Sequence, residues 1–176
     1  VKNQIWLVEQ LPKILRLFSD TLIVLAGAFT DAAYARQLEA TIRRLRLENE
    51  VMMVGGLPPG DPRLIGLLQL SSALVLPSRS ETFGLVLLEA WAAGTPVLSS
   101  RTSGALALIE PGNNGWLFDL DLPDTFHHAV QEIFARPDYA RGLAQNGRKK
   151  VEACFDATRL AEQIRDLYAE LLENKR

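Results

Sequence analysis

The 176 residues, 48% hydrophobic and 23% charged, have the length and composition of one globular domain. At that size about two thirds of the unfolded surface leaves water on folding, so neither disulfides nor a metal is needed for stability. The formal net charge of −2 excludes the footprint of a general nucleic-acid binder. No apolar run approaches the roughly 20 residues that span a bilayer, and the N-terminal residues lack the pattern of a signal peptide. Cys154 is the single cysteine, so no intrachain bridge is expected and a reducing, cytoplasmic setting fits.

In chain order, Leu7, Leu11, Ile14, Leu15 and Phe18 recur at helical spacing, which predicts an amphipathic helix over residues 4–18. Thr21 to Ala26, closed by Gly27, reads as a buried strand, and a helix over 34–45 carries Leu38, Ile42 and Leu45 on one side. Val51 to Val54 reads as a strand and Gly55-Gly56 as a turn. The alternation continues with a helix over 63–70, a strand over 73–76, a loop from Pro77, a helix to Ala93 and a strand over 97–99. After a strand at 116–118 the chain turns helical, over 125–135, 138–153 and 157–172, the last with Leu160, Ile164, Leu167 and Leu171 in register. Alternating strands and helices imply an α/β domain with a parallel sheet covered on both faces and a helical C-terminal tail. No repeat, low-complexity tract or long linker interrupts it. The chain opens at Val1 in helix-like sequence, so it is expected to be a piece of a longer protein whose first strand lies upstream.

Ligands of open parallel sheets bind beyond the carboxyl ends of the strands, where helix N-termini also point. The segment Ser78-Arg79-Ser80-Glu81-Thr82-Phe83-Gly84 sits there, between the strand over 73–76 and the helix holding Leu87, Leu88 and Trp91. Backbone N–H groups of Phe83, Gly84 and Leu85 read as free donors for an anion, and Gly84 lets it approach closely. Glu81 and Glu89 flank this phosphate site. A carboxylate is repelled by phosphate and suits hydroxyl donors, the layout of a nucleotide sugar with ribose on one side of a diphosphate and sugar on the other. A pair of Mg2+ ligands is the rival reading that spacing leaves open.

Together these residues resemble the retaining nucleotide-sugar glycosyltransferases of the GT-B fold, of the group 1 or family 4 type, marked by an E-x7-E motif. The resemblance runs through Leu76-Pro77-Ser78, Glu81 to Val86, Glu89-Ala90 and Gly94-Thr95-Pro96-Val97, and more weakly through Gly104 to Phe118; upstream, Leu25-Ala26-Gly27 and Val51 to Gly55 also fit. It implies that residues 1–176 form the Rossmann-like, nucleotide-sugar-binding C-terminal domain, with the first strand and an N-terminal acceptor-binding domain outside the chain. It implies further that Glu81, the candidate catalytic residue, holds hydroxyls of the donor sugar and Glu89 the ribose. Thr82, Phe83, Gly84 and Leu85 would cradle sugar and diphosphate, Lys2 would contact the diphosphate and Leu57 would lie beside the base. No metal or other cofactor is implied, and the isolated domain is expected to turn over poorly or not at all. Membrane contact, if any, is expected to be peripheral and through the absent domain. Two departures stand out: the Arg that usually precedes the Lys falls before Val1, and Ala107 stands where many members have Glu.

Other motifs weigh less. Asp119-Leu120-Asp121 matches a metal-binding D-x-D pattern, yet before Pro123 and Asp124 it reads as a turn that also caps a helix. His127 and His128 are adjacent on a helix and about 100° apart, so they cannot form an i, i+4 metal pair. Cys154 reads as packing beside Val151 and Phe155. Trp6, Trp91 and Trp116 read as core or pocket wall. The region after Gly27 lacks the spacing of a dinucleotide fingerprint. The alternatives are a non-catalytic nucleotide-sugar-binding or assembly module and a sugar-nucleotide epimerase of the same fold.

Overall fold

The computed structural model describes residues 2–58 and 61–173. Five short strands are built from aliphatic runs: β1 (Ile23–Ala26), β2 (Val51–Val54), β3 (Leu74–Leu76), β4 (Val97–Ser100) and β5 (Trp116–Phe118). All paired strands are parallel, so each pair that follows in sequence is joined by a crossover. α2 (Ala32–Leu45) joins β1 to β2, α3 (Pro62–Leu70) joins β2 to β3, α4 (Leu85–Ala93) joins β3 to β4 and α5 (Ser103–Leu108) joins β4 to β5. α1 (Gln4–Leu15) precedes them, and α6 (Pro123–Phe134), α7 (Pro137–Cys154) and α8 (Ala157–Glu173) follow.

Side-chain alternation sorts the strands onto two faces. Val75, Leu98 and Phe118 pack with Leu7 and Leu11 of α1, Leu38 and Ile42 of α2, and Phe126 and Val130 of α6; Ile23, Leu25 and Val51 join this core. Leu74, Leu76, Val97 and Leu117 turn the other way, onto Leu68 of α3, Leu87 and Trp91 of α4, and Ala105 and Leu108 of α5. The expected α/β layering with helices on both faces is present. Periodicity does not reveal that the strands pair in two ladders, β1-β2 and β3-β4-β5. Among the described residues β1 pairs only with β2, and β3 only with β4.

Several boundaries differ from the sequence reading for local reasons. α1 ends at Leu15, because the N–H groups of Leu17 and Phe18 both fold back onto the Ile14 carbonyl and Leu17 is left exposed. β1 starts at Ile23, since Thr21 spends both its N–H and its hydroxyl on the Phe18 carbonyl. α5 is an addition. It carries Gly104 and is capped by Thr102, whose Oγ1 accepts from the Ala105 N–H. The Asp119 to Asp121 segment is a turn, with the Asp121 N–H donating to Asp119 Oδ1 at 2.9 Å, but neither carboxylate caps α6, whose N-cap is Leu122 with no side-chain bond. Cys154 is exposed rather than packed, while Val151 and Phe155 beside it join the second core. α8 has the expected periodicity, yet Ile164, Leu167 and Leu171 are exposed. The Leu160 side chain lies outside the described residues. No helix among those residues is long and apolar enough to cross a membrane.

α6 also carries a pH-dependent contribution. The His127 ring is buried with Nε2 unpartnered, and Nδ1 lies 3.5 Å from Asp124 Oδ1. Burial, reinforced by the Lys13 charge, lowers the His127 pKa from 6.5, and Asp124 opposes that only in part. The unfolded chain therefore binds a proton near pH 6.5 that the folded chain takes up only at lower pH. Stability from this group is full above about pH 6.5 and is lost as pH falls through the lowered folded value. Denaturant midpoints measured from pH 7.5 to 5 should fall with pH, and His127→Gln should flatten that slope. Equal slopes in the two proteins would sink the assignment.

Candidate functional site

The fold brings Lys2, just before α1, to the loop 77–84 that leaves the carboxyl end of β3, and Leu57 follows the carboxyl end of β2. Lys2 Nζ meets Glu81 Oε2 at 2.5 Å, joining two residues 79 positions apart. The Glu81 side chain is 15% exposed and that of Lys2 is 52% exposed, so the pair sits at a surface mouth with the carboxylate on its inner side. Asn3, in the left-handed region at φ 58°, turns the backbone from Lys2 into α1.

The loop reaches α4 through Gly84, at φ 90° and ψ 47° with no side-chain cap. An L side chain disfavours this backbone, and a Cβ there would stand 3.0 Å from Leu87 Cδ1. Leu87 N–H bonds the Gly84 carbonyl at 2.9 Å. The helix begins at Leu85, so the first-turn amides without an intrahelical acceptor are those of Leu85 and Val86, one position later than sequence spacing suggests. Phe83 and Gly84 lie on the approach to them. Thr82 and Phe83 are exposed, and Phe83 meets Phe155 edge-on with centroids 6.0 Å apart. Glu89 is exposed on the second turn of α4, and Leu57 is half-buried.

Sequence reasoning missed the residues that hold this loop. α5 clamps it: the Gly104 N–H donates to the Glu81 carbonyl at 2.9 Å and Ser103 Oγ to the same oxygen at 3.1 Å. A Cβ on Gly104 would stand 2.7 Å from the Phe83 carbonyl carbon and oxygen, so only glycine permits the contact. Below, Ser100 Oγ donates to the Ser78 carbonyl at 2.5 Å. None of these residues has a local signal, because each meets the loop across more than 20 residues of chain. The segment offers one cation, two open helix amides and two carboxylates, a set of groups that suits a diphosphate flanked by hydroxyls.

A D-inositol 3-phosphate glycosyltransferase from Corynebacterium urealyticum is 30% identical over 134 residues, covering 76% of this chain and 31% of that protein. The structure of a sucrose-phosphate synthase from Thermosynechococcus elongatus superposes with a TM-score of 0.85 at 30% identity, covering 98% of this chain and 43% of the other. The Anabaena protein HepE, in complex with UDP and glucose, gives 0.78 at 25% identity over 96% of this chain and 45% of its own. The chain thus spans less than half the length of each of these proteins. Residues 1–150 match the family model described as glycosyl transferases group 1, and the chain belongs to that family.

Proposed function

We propose that the chain binds a nucleotide diphosphate-sugar and is the donor half of a retaining glycosyltransferase. The observation that carries this is the Lys2 to Glu81 pair beside the uncapped start of α4. As the glycosidic bond breaks, negative charge grows on the leaving diphosphate, where Lys2 and the Leu85 and Val86 amides stabilise it. Glu81 orients the sugar through its hydroxyls and Glu89 holds the ribose, with no metal required. HepE with UDP and glucose supports the ligand class.

The free edges of β1 and β3 support a longer protein. α1 feeds β1 and packs on α2 and α6, and right-handed crossovers place the strand that feeds α1 beside β1, between the two ladders. A strand upstream of Lys2 fills that slot, followed outward by the acceptor-binding domain. The exposed apolar stripe of α8 is a surface for the same domain. A chain extended upstream should gain amide protection in β1 and β3 by hydrogen exchange; unchanged protection there would exclude the slot strand.

Calorimetry with UDP-, GDP- and ADP-sugars tests donor binding. One of them should bind, and Glu89→Ala should weaken it by about 10- to 100-fold through loss of charge-assisted bonds to ribose. Wild-type affinity in Glu89→Ala would remove Glu89 from the site. The 176-residue chain alone should transfer sugar far below the roughly 1 per second typical of enzymes.

A further inference from the structure

The donor reading leaves unused a polar pocket of about 270 Å³ beyond the ends of β3, β4 and β5. Ser78, Arg79, Arg101, Thr102, Asp119 and Asp121 line it; Lys2, Glu81 and the start of α4 do not. Arg79 of the loop 77–84 therefore lines this pocket, while Glu81 of the same loop pairs with Lys2 outside it.

The protein consumes some of the lining groups. Ser100 Oγ donates to the Ser78 carbonyl, Thr102 Oγ1 caps α5, and Asp119 Oδ1 accepts from the Asp121 N–H. What remains is informative. Ser78 is fully buried and its hydroxyl has no hydrogen-bond partner, a cost of about 1–3 kcal/mol unless a ligand or water completes it. Arg79 and Arg101 form no ion pair among the described residues. Two guanidinium forks are donors that call for an oxyanion. The Asp119 and Asp121 carboxylates repel a bare oxyanion and accept from hydroxyls. A molecule carrying both groups satisfies both halves, and the volume lies just below the range of drug-sized ligand pockets, which suits one ring or a short chain.

We propose that this pocket is a second ligand site that takes a phosphorylated polyol, with its phosphate on Arg79 and Arg101 and its hydroxyls on Asp119 and Asp121. Its use as a contribution of this domain to acceptor binding rests on the transferase reading; the binding itself does not.

Calorimetry on the 176-residue chain, with inorganic phosphate, glucose, glucose 6-phosphate and, separately, UDP, GDP and ADP, tests it. Glucose 6-phosphate should bind at least about tenfold more tightly than phosphate, and glucose should not bind measurably. Arg101→Ala and Arg79→Ala, both at exposed positions, should each weaken glucose 6-phosphate about tenfold or more and leave UDP affinity within about twofold. Asp121→Asn should bring glucose 6-phosphate toward the affinity of phosphate. The proposal is overturned if a folded chain binds no phosphate compound saturably. It is also overturned if phosphate binds as well as glucose 6-phosphate, an adventitious ion only, or if Arg101→Ala weakens UDP as much as the sugar phosphate. UDP binding without glucose 6-phosphate binding sinks this site and spares the donor reading; glucose 6-phosphate binding with none of UDP, GDP and ADP bound sinks the donor reading and spares this site.

Discussion

Gly147→Ala should destabilise the protein by about 3 kcal/mol, lowering the unfolding temperature by about 6–12 °C. α7 crosses α4 so closely at Gly147 that an added Cβ would stand 2.2 Å from Trp91 Cδ1 and 2.4 Å from Cγ. The indole cannot swing aside. It is fully buried, its Nε1 donates to the Asn114 carbonyl at 2.9 Å, and Asn114 is itself held by the Glu110 N–H and the Leu108 carbonyl. The new methyl must push the helices apart or break that chain of bonds, and either outweighs the gain of up to about 1 kcal/mol that Ala brings to a helix interior. Gly142 supplies the internal control. It lies on the same helix with nothing within 4 Å of its added Cβ, so Gly142→Ala should be neutral or slightly stabilising. Thermal melts of the two variants decide the matter: equal midpoints would mean that α4 and α7 do not meet as described. Because Gly84 caps α4 and Glu89 lies on it, loss of this contact should loosen the proposed donor site as well.

How legible the molecule is from its sequence depends on the range of the interaction concerned. The β3 to α4 block is readable because strand, loop, glycine and helix follow one another, and each element's signal lies within a few residues. α5 is not, because six residues with a central Gly104 show no period, and the glycine is there for the Phe83 backbone some 20 residues earlier. The Lys2 to Glu81 pair links ends of the chain that only the sheet brings together. Spacing placed Cys154 on a packing face, but Val151 and Phe155 take the core and leave the thiol outside. The apolar register of α8 is visible in the sequence, while its exposure depends on what this domain does not cover. The break between the ladders follows from topology, which strand periodicity does not encode.

Glu81→Gln should shift two affinities in opposite directions, tightening UDP while removing most of the advantage of a UDP-sugar over UDP, should UDP be the base recognised. In the free protein Lys2 is neutralised by Glu81 at 2.5 Å. An incoming diphosphate must compete for that ammonium, and the Lys2 side chain is half exposed, so the competition is worth only the roughly 0.2–1 kcal/mol of a screened pair, up to about fivefold in affinity. The substituted amide is uncharged and releases Lys2 to the phosphates, so UDP gains that small factor. The sugar loses far more. Hydroxyl bonds to a carboxylate contribute about 1.5–3 kcal/mol and those to an amide less, so the UDP-sugar should weaken by about 10- to 100-fold relative to UDP. In a protein that carries the acceptor domain, the same change should lower kcat/KM at least as much if, as proposed, Glu81 positions the ring that develops positive charge as the diphosphate leaves. Lys2→Ala makes the sign diagnostic: it should weaken UDP and UDP-sugar together, and Glu81→Gln in that background should no longer tighten UDP. If Glu81→Gln weakened UDP and UDP-sugar equally, the Glu81 side chain would be bracing the loop through Lys2, and the sugar would be held by other residues.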